Sequence, residues 1–559
     1  MRNIPHISRT ERTVQDISNR ARQLREEAKF NINFMEDLAL TSIVHEDEDP
    51  KSVAEALSRP NGPLWKVALD SELKSMHDHH VWDLVPRTSQ PIGKKVIKSK
   101  TICHIKRDEL GNMAKLKARF VAKEFTQIAG EDYHDTCSPV GRMESLRLLL
   151  SIAATLDWDV KQLDVKTAFL HSELDEEIYM EQPEGGIAVG YEDHICKLRK
   201  GIYGLKQAGR QWNKMLDKTM LKHGFKRIPA DHCLYMRITS RGKSIIVVHT
   251  DDMAAAASTP AKMESIIHDL RSTFDIMDLG EIKWMLGIEI SQNRENRTVS
   301  LCQSTYIERI VKRFNLESAP PVWTPLNVDV AKALSSKQSP LTPSEKDTMS
   351  KVPYRAAIGS IMYTATCTRP DIAFSVNKLA QFSLNPGITH WSCVKQVISY
   401  LKATKSHCLV LGGSLSSKIT LRGSADSDYA SNIDTHKSVS GYAYFLGLGA
   451  ISWSSKKQAT IATSSCKAEY VSACHAAKEA IWLQSLLNLL GYDQDKPTSI
   501  QSDNMGTITI IKDPSFHVRT KHIDIQHHYV REHVKSTELE FTYTRTSDTI
   551  ADILTKALP

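Results

Sequence analysis

Apolar and polar positions change period several times along this chain, and each change marks an element. Residues 1–50 are charged and weakly patterned, with an Arg/Glu-rich helix over about Thr13–Lys29, and they read as a tail or linker. From Val53 to about Ile290, amphipathic helices mix with short alternating strands. Within that span, Trp158–Val165 alternates between two faces and predicts a strand ending at Asp164, before a helix-like segment that begins Thr167-Ala168-Phe169. The apolar run Ser244–Val248 predicts a buried strand that leads into His249-Thr250-Asp251-Asp252, a tight hairpin turn with acids at its tip. Ser335–Ser350 is rich in Ser, Thr, Lys and Pro and reads as a surface loop, after which helical periodicity runs from Tyr354 to about Lys405. Beyond the break at Gly412-Gly413-Ser414, a strand from Ile419 leads to Asp426. A long helix then runs from the N-cap residues Thr463-Ser464-Ser465 to Leu490, and a further strand, Thr498–Ser502, ends at Asp503. This last stretch reads as a separate α/β domain.

At 559 residues the chain exceeds one core and predicts three or four modules. Hydrophobic residues at 41% and charged residues at 25% are those of ordinary globular protein. The net charge, 72 minus 65 or +7, permits polyanion binding without requiring it. Ten cysteines occur with no C-x-x-C pair, so the expectation is reduced thiols, with no zinc site and no disulfide framework. The charged start lacks an apolar signal region and no apolar run reaches membrane-span length, so a soluble intracellular protein is expected, in cytoplasm or nucleus.

Two groups of acids change the picture. Asp164, Asp251 and Asp252 lie in the middle third, and Asp426, Glu469, Asp503 and Asp552 in the last. Adding a nucleotide or cutting a phosphodiester needs two hard cations about 3.5–4 Å apart, clamping the attacking and leaving oxygens. Carboxylates supply the oxygen ligands such cations prefer, and strands fix their geometry. Two such groups in one chain predict a protein that both copies and degrades nucleic acid.

The stretches LKARFVAKEFTQ at 116–127, QLDVKTAFL at 162–170, IYMEQPEG at 178–185 and IYGLKQAGRQW at 202–212 are specific. So are LGIEI at 286–290, YRAAIGSIMYTATCTRPDIAFSV at 354–376, ISWSSKKQ at 451–458, RTKHIDIQHH at 519–528 and ADILTKAL at 551–558. With these, the chain from about Pro60 to Pro559 resembles the reverse transcriptase and RNase H portion of copia-type LTR retrotransposon Pol polyproteins. The resemblance implies an α+β polymerase right hand (fingers, palm, thumb) followed by a C-terminal α/β RNase H-like domain. The implied bounds are 1–52 for the tail, 53–300 for fingers and palm, 301–415 for a thumb/connection region and 416–559 for the RNase H-like domain. It implies RNA- and DNA-directed DNA synthesis with hydrolysis of RNA in RNA–DNA hybrids. The implied metal is Mg²⁺, two ions per site, with Mn²⁺ as an alternative. Asp164 would be the first palm acid, and Asp251 and Asp252 the pair on the palm hairpin. Asp426, Glu469, Asp503 and Asp552 would form the RNase H set, with Asp428 a less certain member.

The resemblance also implies that Phe169 screens the sugar 2′ position, that Lys117 and Arg119 neutralise the triphosphate, and that Gln207 lies against nucleotide and template. Lys456, Lys457, Arg519 and Lys521 would contact the hybrid backbone. His522 reads as a structural histidine beside Asp524, and Trp212, Tyr429 and Trp453 would suit duplex tracking. The implied partners are an RNA template, a DNA primer, the hybrid and deoxynucleoside triphosphates, with no membrane, in a cytoplasmic particle or the nucleus. Capsid, protease and integrase signatures are absent from this chain, which reads as the C-terminal part of a larger polyprotein or a truncated genomic copy.

Several positions depart from the family pattern. His249-Thr250 stand for the usual Y-V before D-D, and Thr101 and Cys103 stand for Trp and Phe, a loss that costs several kcal/mol in a core without compensation. Glu124, Cys137, His171-Ser172 and Lys467 replace Gly, Phe, Asn-Gly and an acid. Every expected metal-binding acid is kept. The rival expectation is a decayed copy that only folds and binds nucleic acid, or that keeps hybrid cleavage alone.

Overall fold

The computed structural model describes residues 49–107, 113–240, 242–413, 418–512 and 524–557. It is a mixed α/β molecule whose centre is a six-stranded antiparallel sheet, in the order Ile276–Glu281, Asp159–Val165, Asp252–Ala257, Gly242–His249, Asp231–Thr239, Lys226–Ile228. The alternation around Asp164 and the apolar run before Asp251 therefore become neighbours in one sheet. The helix-like segment after Asp164 is a short 3-10 helix, Ala168–His171, entered through Thr167 at φ +53°.

A two-stranded hairpin, Ser99–Arg107 with Met113–Ala122, precedes this centre in the chain, and a four-stranded sheet takes two strands from before it and two, Glu173–Met180 and His194–Lys200, from between its strands. In the hairpin, Thr101 and Cys103 pair with Phe120 and Ala118 on the buried face. Thr101 satisfies its hydroxyl on the Glu184 carbonyl at 2.5 Å, and Trp65 shares the core cluster of Cys103.

The C-terminal region is a five-stranded sheet in the order Gly449–Lys457, Val439–Leu446, Leu421–Ser427, Thr498–Ser502, Leu539–Tyr543. Its first three strands are antiparallel and the last two join in parallel. The long helix Ser465–Leu489 packs on it, its first turn capped by the Ser464 side chain, which accepts from the Lys467 N–H. Helices Tyr354–Cys367, Ala373–Ala380 and Ile388–Ala403 fill the stretch between the regions.

Residues of the helical stretch from Tyr306 to Leu401 form most of one cluster, while a larger one joins the central sheet to the C-terminal region. One continuous cluster runs from Leu146 in the helix Met143–Leu156, through the central sheet, to Tyr444, Leu483 and Leu554. Nearly every residue of that helix is buried. Arg147, 1% exposed, donates to the carbonyls of Ile451 (2.7 Å), Thr366 (2.7 Å) and Cys367 (3.0 Å), and lies over the Trp453 ring at 4.0 Å. One buried guanidinium thus ties three regions together, and Trp453 is spent on that junction.

Two expectations need correction. Ser335–Ser350 is not a loop: it folds as a 3-10 turn, Ser336–Gln338, and a helix, Pro343–Ser350, each opened by a capping box. Cys302, at the end of one strand, and Cys408, just before the neighbouring strand Leu409–Gly412, are joined as a disulfide, where reduced thiols were expected. Among the described residues, no helix is long and apolar enough to cross a membrane.

Candidate nucleic-acid active sites

The first acid set forms where two strands of the central sheet end. Asp252 is the direct cross-strand partner of Asp164, and His249 pairs with Asp252 to close the hairpin, leaving Thr250 and Asp251 as its turn. Thr250 sits at φ +59°, in the left-handed region that a β-branched residue rarely adopts. Two bonds hold the turn: Trp212 Nε1 donates to the Thr250 carbonyl at 2.7 Å, and the Val165 N–H donates to the Asp251 carbonyl at 3.1 Å. Trp212 is therefore a buried brace for the acids rather than an exposed stacking surface.

All three acids are half-buried. Burial, then Asp251 and Asp164, push the Asp252 carboxyl up to about 6, against the Gln162 amide and His249. Burial and Asp251 likewise raise Asp164, opposed by Lys106, Lys117 and Lys166. Lys106 and Lys117 belong to the basic hairpin, where His104, Lys106, Lys115, Lys117 and Arg119 share one face by register, and both act on Asp164. Lys106 and Lys166 were not expected from the sequence, where scattered lysines carry no signal of what they face.

The other residues expected around this set are placed as follows. Phe169 is half-buried with its ring edge-to-face on Tyr203, centroids 4.9 Å apart. Arg119 lies over the same tyrosine at 5.0 Å. Gln207 is fully buried: its amide donates to the Asp132 carbonyl at 2.8 Å and to Glu176 at 3.2 Å, and it accepts from Gln127 at 3.1 Å. Its polar group is spent inside the protein, so it braces the turn Gly204–Gln207 instead of facing a cleft. Gly204 has φ +85°, and a Cβ there would meet the Ala122 carbonyl oxygen at 2.1 Å, so this turn abuts the basic hairpin only as glycine.

The second set is tighter. Asp426 lies on the strand Leu421–Ser427, Glu469 in the second turn of the long helix and Asp503 just after the strand Thr498–Ser502. One carboxylate oxygen from each lies within 4.8 Å of the others, the only such group of His, Cys, Asp or Glu among the described residues. Burial, then Asp426 and Asp503, push Glu469 up to about 9. Burial drives Asp426 up to about 6; the Thr555 hydroxyl, which donates to its Oδ2, opposes that, while Asp552 and Asp503 add to it. Three carboxyls forced together in a poorly solvated place repel, and a divalent cation relieves that repulsion. The donor set is therefore that of a hard-metal clamp.

Asp552 is beside this clamp but outside the tight group. It lies on a 3-10 helix, Ile550–Leu554, rather than an α-helix, and is paired with Lys556 at 2.5 Å. Lys556 also faces Asp426 and Asp503, a role its place in ADILTKAL did not disclose. Thr546 donates to Asp503 Oδ2 at 2.7 Å. Asp428 is spent elsewhere, accepting from the Ser431 hydroxyl and the Val439 N–H, with Lys378 nearby. Lys456 is exposed and Lys457 half-buried at the end of their strand, and Tyr429 is exposed. Arg519, Lys521 and His522 lie outside the described residues.

Comparison with known proteins decides the family. The family described as reverse transcriptase (RNA-dependent DNA polymerase) matches residues 79–328, a span that contains the whole first acid set. A transposon Ty5-1 protein of Saccharomyces cerevisiae is 32% identical over 319 residues, which is 100% of its own length. The chain belongs to the copia-type retrotransposon Pol family.

The Pol polyprotein from transposon TNT 1-94 of Nicotiana tabacum is 41% identical over 92% of this chain, and that from transposon RE1 of Arabidopsis thaliana 36% over 92%. The chain spans 38% and 34% of those two relatives, so it corresponds to about a third of a full polyprotein. It carries a reverse transcriptase domain, and the first acid set lies within it.

Proposed function

We propose that this chain is a retrotransposon reverse transcriptase that extends DNA on RNA and DNA templates and hydrolyses the RNA of the resulting hybrid. On this reading residues 53–300 are fingers and palm, 301–415 a thumb/connection region and 416–559 an RNase H-like domain. The observation that carries the polymerase reading is the register of Asp252 opposite Asp164, with Asp251 on the adjoining turn and a basic face opposite. The compact group Asp426, Glu469 and Asp503 supports hydrolysis at the second site.

Asp164, Asp251 and Asp252 would hold Mg²⁺ for extension, and Asp426, Glu469, Asp503 and Asp552 would hold it for cleavage; bound metal supplies the clamp on attacking and leaving oxygens. The protein's own contribution is orientation. Trp212 and Val165 fix the acidic turn, Lys117 and Arg119 meet the charge on an incoming triphosphate, and the Phe169 ring borders the sugar. At the second site Thr546 and Thr555 aim two carboxylates, while Lys556 offsets their charge.

A second reading, hybrid cleavage alone, is favoured by one observation: only the second set forms a tight ligand group. Primer extension on an RNA template with Mg²⁺, run beside hybrid cleavage, separates them. Extension together with cleavage supports the full reading, cleavage without extension the second. Silence in both from folded protein overturns the enzyme reading and leaves a nucleic-acid-binding remnant.

A further inference from the structure

The helix Gly62–Asp78 buries a stripe of Trp65, Leu69, Glu72 and Met76. Three of these are apolar and the fourth is a carboxylate only 8% exposed. Its Oε1 is buried with no hydrogen-bond partner, and so is Nε of Arg119. Burying a carboxylate is costly unless opposite charge meets it, so the surroundings of Glu72 matter.

The helix packs on the strand Met113–Ala122, Leu69 and Met76 joining Ala118 and Phe120 in one core cluster. Side chains alternate along that strand, so Leu116, Ala118 and Phe120 face the core while Lys115, Lys117 and Arg119 face the opposite way. Its hairpin has only two strands, which leaves an open edge; there the Phe120 N–H bonds to the Glu72 carboxyl. From that edge, Glu72 bears on the charges of both Lys117 and Arg119. Lys117 feels the charges of both Glu72 and Asp251. Arg119 lies over the Tyr203 ring at 5.0 Å, and the Ala122 N–H ties the strand to the Tyr203 carbonyl at 2.9 Å.

We propose that Glu72 is a positioning residue for nucleotidyl transfer, holding Lys117 and Arg119 back from Asp164 and Asp251 so that both cations stay aimed at the space a triphosphate enters. The inference rests on the polymerase reading above. Without that carboxylate, Asp251 is the acid still acting on Lys117. The cations then settle on the metal ligands and compete with the ion those acids would hold.

Glu72→Gln tests this in the full chain, because glutamine keeps an oxygen for the Phe120 N–H and nearly the same volume but loses the charge. On a primed RNA template, the kcat of extension falls about tenfold and the Mg²⁺ concentration for half-maximal rate rises. The nucleotide KM stays within about threefold, because both cations remain to attract the triphosphate. Glu72→Asp restores part of the rate, whereas Lys117→Ala raises KM. Hybrid cleavage and thermal stability stay at wild-type values in Glu72→Gln. Wild-type kcat and Mg²⁺ dependence in that variant overturn the proposal. So does joint loss of both activities with a lowered Tm, which makes Glu72 a support of the fold.

Binding of Mg–dATP to the primer-template complex, followed by fluorescence, separates this proposal from the reading beneath it. A wild type that binds without extending breaks the polymerase reading only. Glu72→Gln must then still require more Mg²⁺ for binding, and an unchanged requirement overturns the role of Glu72. A wild type that neither binds nor extends overturns both.

Discussion

The two acid sets use similar residues in opposite ways. Asp164, Asp251 and Asp252 come from one antiparallel sheet and its turn, are half-buried, and face lysines on a separate hairpin. Asp426, Glu469 and Asp503 come from a strand, a helix and a strand end, with Asp426 and Glu469 buried, and crowd within 4.8 Å. The first arrangement has its charge offset by Lys106, Lys117 and Lys166, which come from other segments. The second stores carboxylate repulsion in the fold, visible as Glu469 pushed up to about 9, with its donor oxygens already gathered. Carboxylates alone do not make a metal site; the elements that carry them decide whether the ligands are already gathered.

The largest effect that sharpens this contrast is a crossover of activities. Asp251→Asn with Asp252→Asn is expected to cut extension by about a thousandfold or more and to leave hybrid cleavage unchanged, and Asp503→Asn to do the reverse. Rates of both reactions on one labelled hybrid check it.

Next is the claim that both sets ride on one body. Arg147→Ala leaves the carbonyls of Ile451, Thr366 and Cys367 unpaired in the core, a loss of about 3–5 kcal/mol. Denaturant unfolding should show it, and both activities should fall at the same temperature. Independent melting of the two regions would break the picture of a shared core.

Acid chemistry gives the third test. Glu469 keeps its proton to about pH 9 in the folded chain, against a usual 4.5, and Asp426 to about 6, against 3.8. Stability from Glu469 is therefore fully present below about 4.5 and drains away as pH rises to about 9. Without metal, wild-type Tm should drop across that window more steeply than that of Glu469→Gln, and Mg²⁺ should restore it. Equal slopes would mean that the crowded carboxyls store no repulsion.

The smallest effect concerns Thr250 at φ +59°. Thr250→Gly should raise stability by about 1 kcal/mol by relieving the left-handed conformation, read as a small rise in Tm. The second site should be untouched.

Much of this arrangement was legible in the sequence. Alternation through Asp164 and the apolar run before Asp251 locate two strands, and Ser464 opens the long helix as its N-cap. What could not be read is what only tertiary contact creates. Cys302 and Cys408 are separated by 106 positions, and no local pattern pairs them. Gln207 looks like an exposed polar residue until its amide is found bonded in the interior. Asp428 resembles Asp426 in the chain, yet lies past the strand end and caps a loop. The helix Pro343–Ser350 was legible and passed over: Thr342-x-x-Glu345 is a capping box, outweighed by the polar composition around it. Glu72 offered a signal too, a lone acid on an apolar helical stripe.

Metal binding by the full chain in the absence of nucleic acid tests the contrast most directly. Calorimetric titration with Mn²⁺ should reveal a preformed site that Asp503→Asn abolishes and that Asp251→Asn with Asp252→Asn leaves intact. Loss of that site in the Asp251 and Asp252 variant, with none in Asp503→Asn, would contradict the account.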